Sequence, residues 1–157
     1  MANFPSVSNL NLREISILTG NTEDAIIWCR EYGLLKRSRP CNTCGRDMPQ
    51  HIQGNKTDGC RFFCCKKEVS IREGSFFTGS KLHIWQIIHV LYMYSAQTAT
   101  VKNLRIECRI LSSHAVTNWR NYVRDIYAEY FLRNPLKIGG PGIYIIYNKL
   151  FILYLFK

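Results

Sequence analysis

Cys41-Asn-Thr-Cys44 and, after a loop from Gly45 to Gly59, Cys60-Arg-Phe-Phe-Cys64-Cys65 are the residues on which the fold turns. Two cysteines separated by two residues can hold one tetrahedral ion between their thiolates. A loop that then returns the chain to a second cysteine group has the spacing of a zinc ribbon. In extended backbone the side chains of adjacent residues diverge, so Cys64 and Cys65 are not expected to serve the same ion. The ligand set read from the sequence is therefore Cys41, Cys44, Cys60 and one of Cys64 or Cys65. The competing reading is a cluster of free thiols left by the decay of a former site. Cys29 and Cys108 fall in helical patterns and read as core residues.

Outward from the cysteines the pattern is helical on both sides. Upstream, Leu12 to Leu35 has helical periodicity. Asn21 or Thr22 can cap a helix there whose first turn carries Glu23 and Asp24, where the positive end of the dipole favours acids. Gly33 suits the position just past its end. Downstream, Leu82 to Tyr94 is apolar on nearly every side, as in a buried helix. Thr100 can cap a helix from Val101 to about Arg109. Ser113 can cap another, in which Val116, Trp119, Val123, Ile126, Tyr127 and Tyr130 form one stripe. Asn118, Asn121, Arg124 and Asp125 lie opposite that stripe, and Asn134-Pro135 ends the helix.

These elements define an α+β chain: an N-terminal helical segment (1–38), a small zinc-ribbon-like β module (39–80), a helix-turn-helix-like bundle (81–134) and a final segment (135–157). The last two helices have the outline in which the second helix enters the DNA major groove, with its first residues meeting base edges. The exposed candidates for such contacts are Ser113, His114, Thr117, Asn118, Asn121 and Arg124. Lys102, Arg105, Arg109 and Arg120 are placed to hold phosphates. The plain alternative is that the pair is a packing unit. His51, His83, His89 and His114 are scattered and read as surface or core residues.

The totals point the same way. Lys and Arg number 21 against 11 Asp and Glu, a net charge of +10 over 157 residues. That surplus favours a polyanionic partner. The opening MANFPSVSNLNLREIS has neither an apolar h-region nor a cleavage pattern, so secretion is not expected. Seven cysteines then point to metal ligation rather than disulfides. The longest apolar run, Ile143 to Phe156, is interrupted by Asn148 and Lys149 and is shorter than the roughly 20 residues of a spanning helix. No membrane partner is expected.

Several motifs occur in an order similar to that of a known family. Cys65-Lys-Lys-Glu-Val-Ser-Ile-Arg-Glu-Gly-Ser-Phe-Phe-Thr-Gly-Ser-Lys81 resembles the segment joining zinc ribbon to helices in Merlin-type DDE/DDD cut-and-paste transposases, which have bacterial insertion-sequence relatives. Asp58-Gly59, Trp119-Arg-Asn-Tyr-Val-Arg124 and Ile138-Gly-Gly-Pro-Gly142 fit the same pattern. The resemblance spans most of the chain from Leu34 onward. It implies a nuclear DNA-binding protein that recognises transposon ends, with one structural Zn²⁺, double-stranded DNA as partner, and its own copies or a full-length transposase as further partners.

The chain departs from that family at two places. Cys64 and Cys65 are adjacent where a spaced pair is usual, and Cys60 stands at a usually aromatic position. After Gly139-Gly-Pro-Gly142 the family's first RNase H-like strand carries a catalytic Asp, whereas this sequence has Tyr147. No Asp or Glu follows Glu129. Metal-assisted phosphoryl transfer needs clustered carboxylates, so no catalytic Mg²⁺ is expected. The expectation is a catalytically inactive transposase fragment ending in a degenerate first strand. The rival reading is a protein-interaction or structural module, or a translated relic.

Overall fold

The computed structural model describes residues 10–52, 54 and 57–135. Among them the architecture is α+β: five helices and one three-stranded antiparallel sheet, in the order α1 (Leu12–Thr19), α2 (Thr22–Glu31), β1 (Gln50–Ile52), β2 (Cys60–Cys64), β3 (Lys67–Ser70), α3 (Ile84–Ser95), α4 (Val101–Glu107) and α5 (Ser113–Arg133). The chain divides within α3 into two compact units, one of Leu10–His89 and one running from Val90. The degenerate strand expected at Ile143 to Phe151, with Tyr147, lies outside the described residues.

In the first unit the N-terminal helical stretch forms two helices. Asn11 caps α1 in a reciprocal capping box with Glu14, an arrangement that satisfies two of the amide donors a helix start leaves unpaired. Gly20 ends α1, and a Cβ built there would stand 2.5 Å from the Ser16 carbonyl oxygen, too close for any other residue to fit unchanged. Asn21 then caps α2 by accepting from the Asp24 amide, which contributes about 1 kcal/mol. Gly33, at φ +71°, closes α2 as the sequence predicts, and the following Leu34 amide reaches back to the Cys29 carbonyl at 2.8 Å. The packed helices α1 and α2 bury Ile15, Ala25, Ile26, Trp28 and Cys29. Burial pushes the Cys29 thiol up to about 12, which keeps it protonated.

The sheet has the order β1-β2-β3, with His51 opposite Arg61, Phe62 opposite Val69, and Cys64 opposite Lys67. Two residues, Cys65 and Lys66, join β2 to β3, and both take positive φ (49° and 62°). Such two-residue turns match the natural twist of paired strands and normally hold Asn-Gly or Asp-Gly. Side chains with a Cβ are disfavoured in that region by roughly 1–2 kcal/mol each. The sheet is anchored by a buried ion pair: Arg72 donates from Nε to Asp58 Oδ2 at 2.6 Å and from Nη2 to Oδ1, while Nη1 reaches the Ser80 carbonyl at 2.9 Å. The forked pair ties the turn before β2 to the segment after β3, and both partners are buried.

In the second unit Thr100 caps α4 by accepting from the Asn103 amide. Ser112, one residue before the cap expected from the sequence, caps α5 by accepting from the Ala115 amide. Arg109, at φ 50°, turns the chain between the two helices. Leu104, Cys108 and Ile110 are buried, as are Val116, Trp119 and Val123 from the predicted stripe of α5. Tyr130 remains 47% exposed, so the stripe loses its cover towards the end of the helix. The buried Cys108 sulfur lies 3.8 Å from Met93 Sδ.

Candidate metal centre

Two short segments build the centre. The first is a tight loop: Pro40 bridges Asp47, the Cys41 amide bonds the Arg46 carbonyl at 2.8 Å, and the Gly45 amide returns to the Cys41 carbonyl at 2.8 Å. Gly45 takes φ +71°, the left-handed conformation that lets the loop close between the two cysteines and Arg46. This places Cys41 and Cys44 on one side of the loop. The second segment is the β2–β3 turn, which contributes Cys64 and Cys65. The Phe63 amide donates to the Pro49 carbonyl at 3.0 Å and holds the two segments together.

The ligand atoms of Cys41, Cys44, Cys64 and Cys65 all lie within 4.8 Å of one another. Four sulfurs at about 2.3 Å from a tetrahedral ion stand about 3.8 Å apart. Cys44 and Cys64 are 3.6 Å apart, and Cys64 and Cys65 are 3.7 Å apart. The four residues can hold a metal ion with little change in position.

Local dipoles prepare the thiols unequally. The Thr43 amide donates to Cys41 Sγ at 3.4 Å, and the Thr43 and Cys44 amides lower the Cys41 thiol. The backbone amide and then the guanidinium of Arg46 draw the Cys44 thiol down to about 6. Cys64 moves the opposite way, to about 12, chiefly because its neighbours Cys44 and Cys65 hydrogen-bond to it. Cys44 likewise raises Cys65. Without an ion the four sulfurs therefore share protons, because negative charges this close cannot all form. A bound dication removes that conflict.

The structure corrects the sequence reading of the ligand set. Cys60 is buried at the start of β2 opposite Ile52, and burial raises its thiol. Cys64 lies four residues further along the same strand, about 13 Å away, so the two cannot share an ion. Cys64 and Cys65, by contrast, are both in the cluster. Their divergence holds for extended backbone, and Cys65 has already left the strand for the left-handed turn. The sequence does carry a signal for this: Cys-Cys-Lys-Lys between two short alternating runs marks a hairpin turn at Cys65-Lys66.

On the second unit, Lys102, Arg105, Arg109, Ser113, His114, Thr117, Asn118, Arg120, Asn121 and Arg124 are all exposed. Lys102 and Arg105 border a shallow recess with Val101, Ile106, Ile110 and Leu111. Arg120, Asn121 and Arg124 line a groove beside Tyr94, at the end of α3, that sequence reading did not find. None of the four histidines joins the cysteine cluster: His51 packs edge-on to Phe63, His83 Nδ1 sits 3.1 Å from the Thr57 carbonyl, His89 meets Thr19, and His114 is exposed.

No described helix is long and apolar enough to cross a membrane. Comparison with family models, with curated proteins and with solved structures finds no match for the chain.

Proposed function

We propose that this chain is a double-stranded DNA-binding module of transposase type, with a structural zinc ion at Cys41, Cys44, Cys64 and Cys65. The observation that carries the DNA reading is the exposure of polar and basic residues on both α4 and α5. Lys102, Arg105 and Arg109 are exposed on α4 and the turn after it, and Ser113, His114, Thr117 and Asn118 are exposed at the start of the longer helix. Helix-turn-helix proteins present such residues to phosphates and base edges, respectively. The chain's charge of +10 supplies the long-range attraction. The resemblance of the sequence to Merlin-type transposases is in keeping with this reading, under which the chain acts in the nucleus at transposon ends. Zinc is favoured among metals because four thiolates form a soft, closed tetrahedral set with no position left for substrate.

Under this proposal the module binds DNA without cutting it, since Tyr147 stands where the resemblance would put a catalytic Asp. A protein-interaction role is the second reading. Leu111 is 90% exposed and Ile106 61% exposed, both beside Lys102 and Arg105, and exposed apolar side chains grouped at one place favour a protein partner.

Fluorescence anisotropy of a labelled duplex across a salt series separates the two. DNA binding through several cations weakens steeply, with a log–log slope of about −0.9 per phosphate neutralised, and Lys102→Gln with Arg105→Gln reduces that slope by about two. Retention of duplex unaffected by salt and by both substitutions would refute the DNA reading.

A further inference from the structure

The groove beside Tyr94 belongs wholly to the second unit. Its walls are Tyr94, Thr117, Arg120, Asn121, Arg124, Tyr127 and Ala128, around a volume of about 630 Å³. That volume falls in the range that holds a small organic ligand, well beyond a bare ion. On α5 the lining residues recur at three- and four-residue intervals, so Arg120 and Arg124 stand one turn apart on one face.

The polar groups of the groove share one character. No carboxylate among the described residues lines it. Among the described residues no carboxylate lies within ion-pair distance of Arg120, and Arg124 has only a loose contact with its neighbour Asp125 at 4.0 Å. Tyr94 offers a buried hydroxyl whose own proton finds no acceptor among the described residues. The charge of Arg120 and a hydrogen bond donated by its guanidinium oppose the upward shift that burial imposes on that hydroxyl. The Thr117 hydroxyl already donates to the Ser113 carbonyl at 3.0 Å. The donors that face a ligand therefore include two guanidinium forks, the Asn121 amide and the Tyr94 hydroxyl, with the rings of Tyr94 and Tyr127 alongside.

We infer that this groove is a phosphate site for a nucleotide unit, with Arg120 and Arg124 gripping the phosphate, Tyr94 donating a further hydrogen bond and Tyr127 covering the sugar. Guanidinium forks match phosphate oxygens in pairs, and two cations with no carboxylate in the lining select an anion. The proton of the Tyr94 hydroxyl is left to meet a ligand oxygen. The phosphate comes from one of two sources: the backbone of bound DNA, or a free nucleotide. The site does not depend on the DNA reading, which decides only the source.

The test is an NMR titration of the full zinc-loaded chain, following arginine Nε–H resonances at constant ionic strength. The probes are thymidine 5′-monophosphate, inorganic phosphate, thymidine and sodium chloride. The monophosphate and inorganic phosphate are expected to shift two arginine signals saturably, thymidine and chloride to leave them in place. Arg120→Gln with Arg124→Gln should weaken the monophosphate at least about tenfold, and Tyr94→Phe about threefold. Both arginines are exposed, so circular dichroism and zinc content should not change. A duplex that displaces the monophosphate identifies the DNA backbone as the source; a duplex that binds beside it identifies a free nucleotide. Binding of the monophosphate with no binding of duplex keeps the site and refutes the DNA reading. Duplex binding with no response to either phosphate probe, or equal shifts from thymidine and the monophosphate, overturns the site.

Discussion

Replacing Cys65 and Cys60 separately by Ala tests the metal centre most sharply, because the sequence ranks Cys60 as the surer ligand and the structure reverses the order. Cys65 lies in the four-sulfur cluster, within 4.8 Å of the other ligand atoms. Structural zinc sites of this class release about 10–16 kcal/mol on binding, or roughly 2.5–4 kcal/mol for each of four ligands. Losing one thiolate should therefore weaken zinc roughly 60- to 700-fold at neutral pH. Cys60 is buried and about 13 Å along β2 from Cys64. Its replacement should leave zinc affinity within about threefold and lower stability on the order of 1 kcal/mol through lost packing. Competition of each variant against a chromophoric zinc chelator, at equal protein concentration and under reducing conditions, measures both affinities. If Cys60→Ala loses zinc as Cys65→Ala does, or if Cys65→Ala binds as tightly as the parent chain, the assigned ligand set is wrong.

Three further outcomes are expected. Asp58→Asn strands the Arg72 charge beneath the sheet, so denaturant unfolding should show a loss of about 3–5 kcal/mol; a loss under about 1 kcal/mol would mean that water reaches the pair. His89 is buried beside Thr19 and Trp85, and burial lowers its pKa below 6.5. Its unfolded form binds a proton that the folded form refuses, so stability falls as pH drops through 6.5 towards the depressed folded value. Urea midpoints from pH 7.5 to 5 should decline less steeply for His89→Gln than for the parent, and parallel curves would exclude this cause. Finally, the zinc-loaded chain should leave supercoiled and transposon-end DNA uncut in Mg²⁺ or Mn²⁺ on a gel assay; nicking that vanishes on replacement of one of its own carboxylates would contradict the proposed inactivity.

Much of the local structure is legible in the residues themselves. Asn21 and Thr100 cap helices, and Gly33 ends one, because each of these effects involves groups only a few positions apart. Val116, Trp119 and Val123 declare the buried side of α5 through their spacing. The α+β class follows from the same local patterns. The cysteine spacing likewise identifies Cys41 and Cys44 as a chelating pair, since two intervening residues suffice to bring their sulfurs together.

The other half of the centre depends on the third dimension. Cys60 and Cys65 differ little as residue types in a linear pattern. Strand pairing separates them, placing Cys60 at the far end of β2 and Cys65 in a left-handed turn against the loop of Cys41 and Cys44. Backbone that is unfavourable for a residue with a Cβ is held there by the register on either side, which no local preference predicts. The groove beside Tyr94 has the same origin. Tyr94 and Arg120 are 26 positions apart, and only the packing of the second unit brings the hydroxyl to the guanidinium of α5. Helix caps and periodicities involve neighbours along the chain and can be read from it, whereas a ligand set or a groove is a relation between distant segments that packing alone creates.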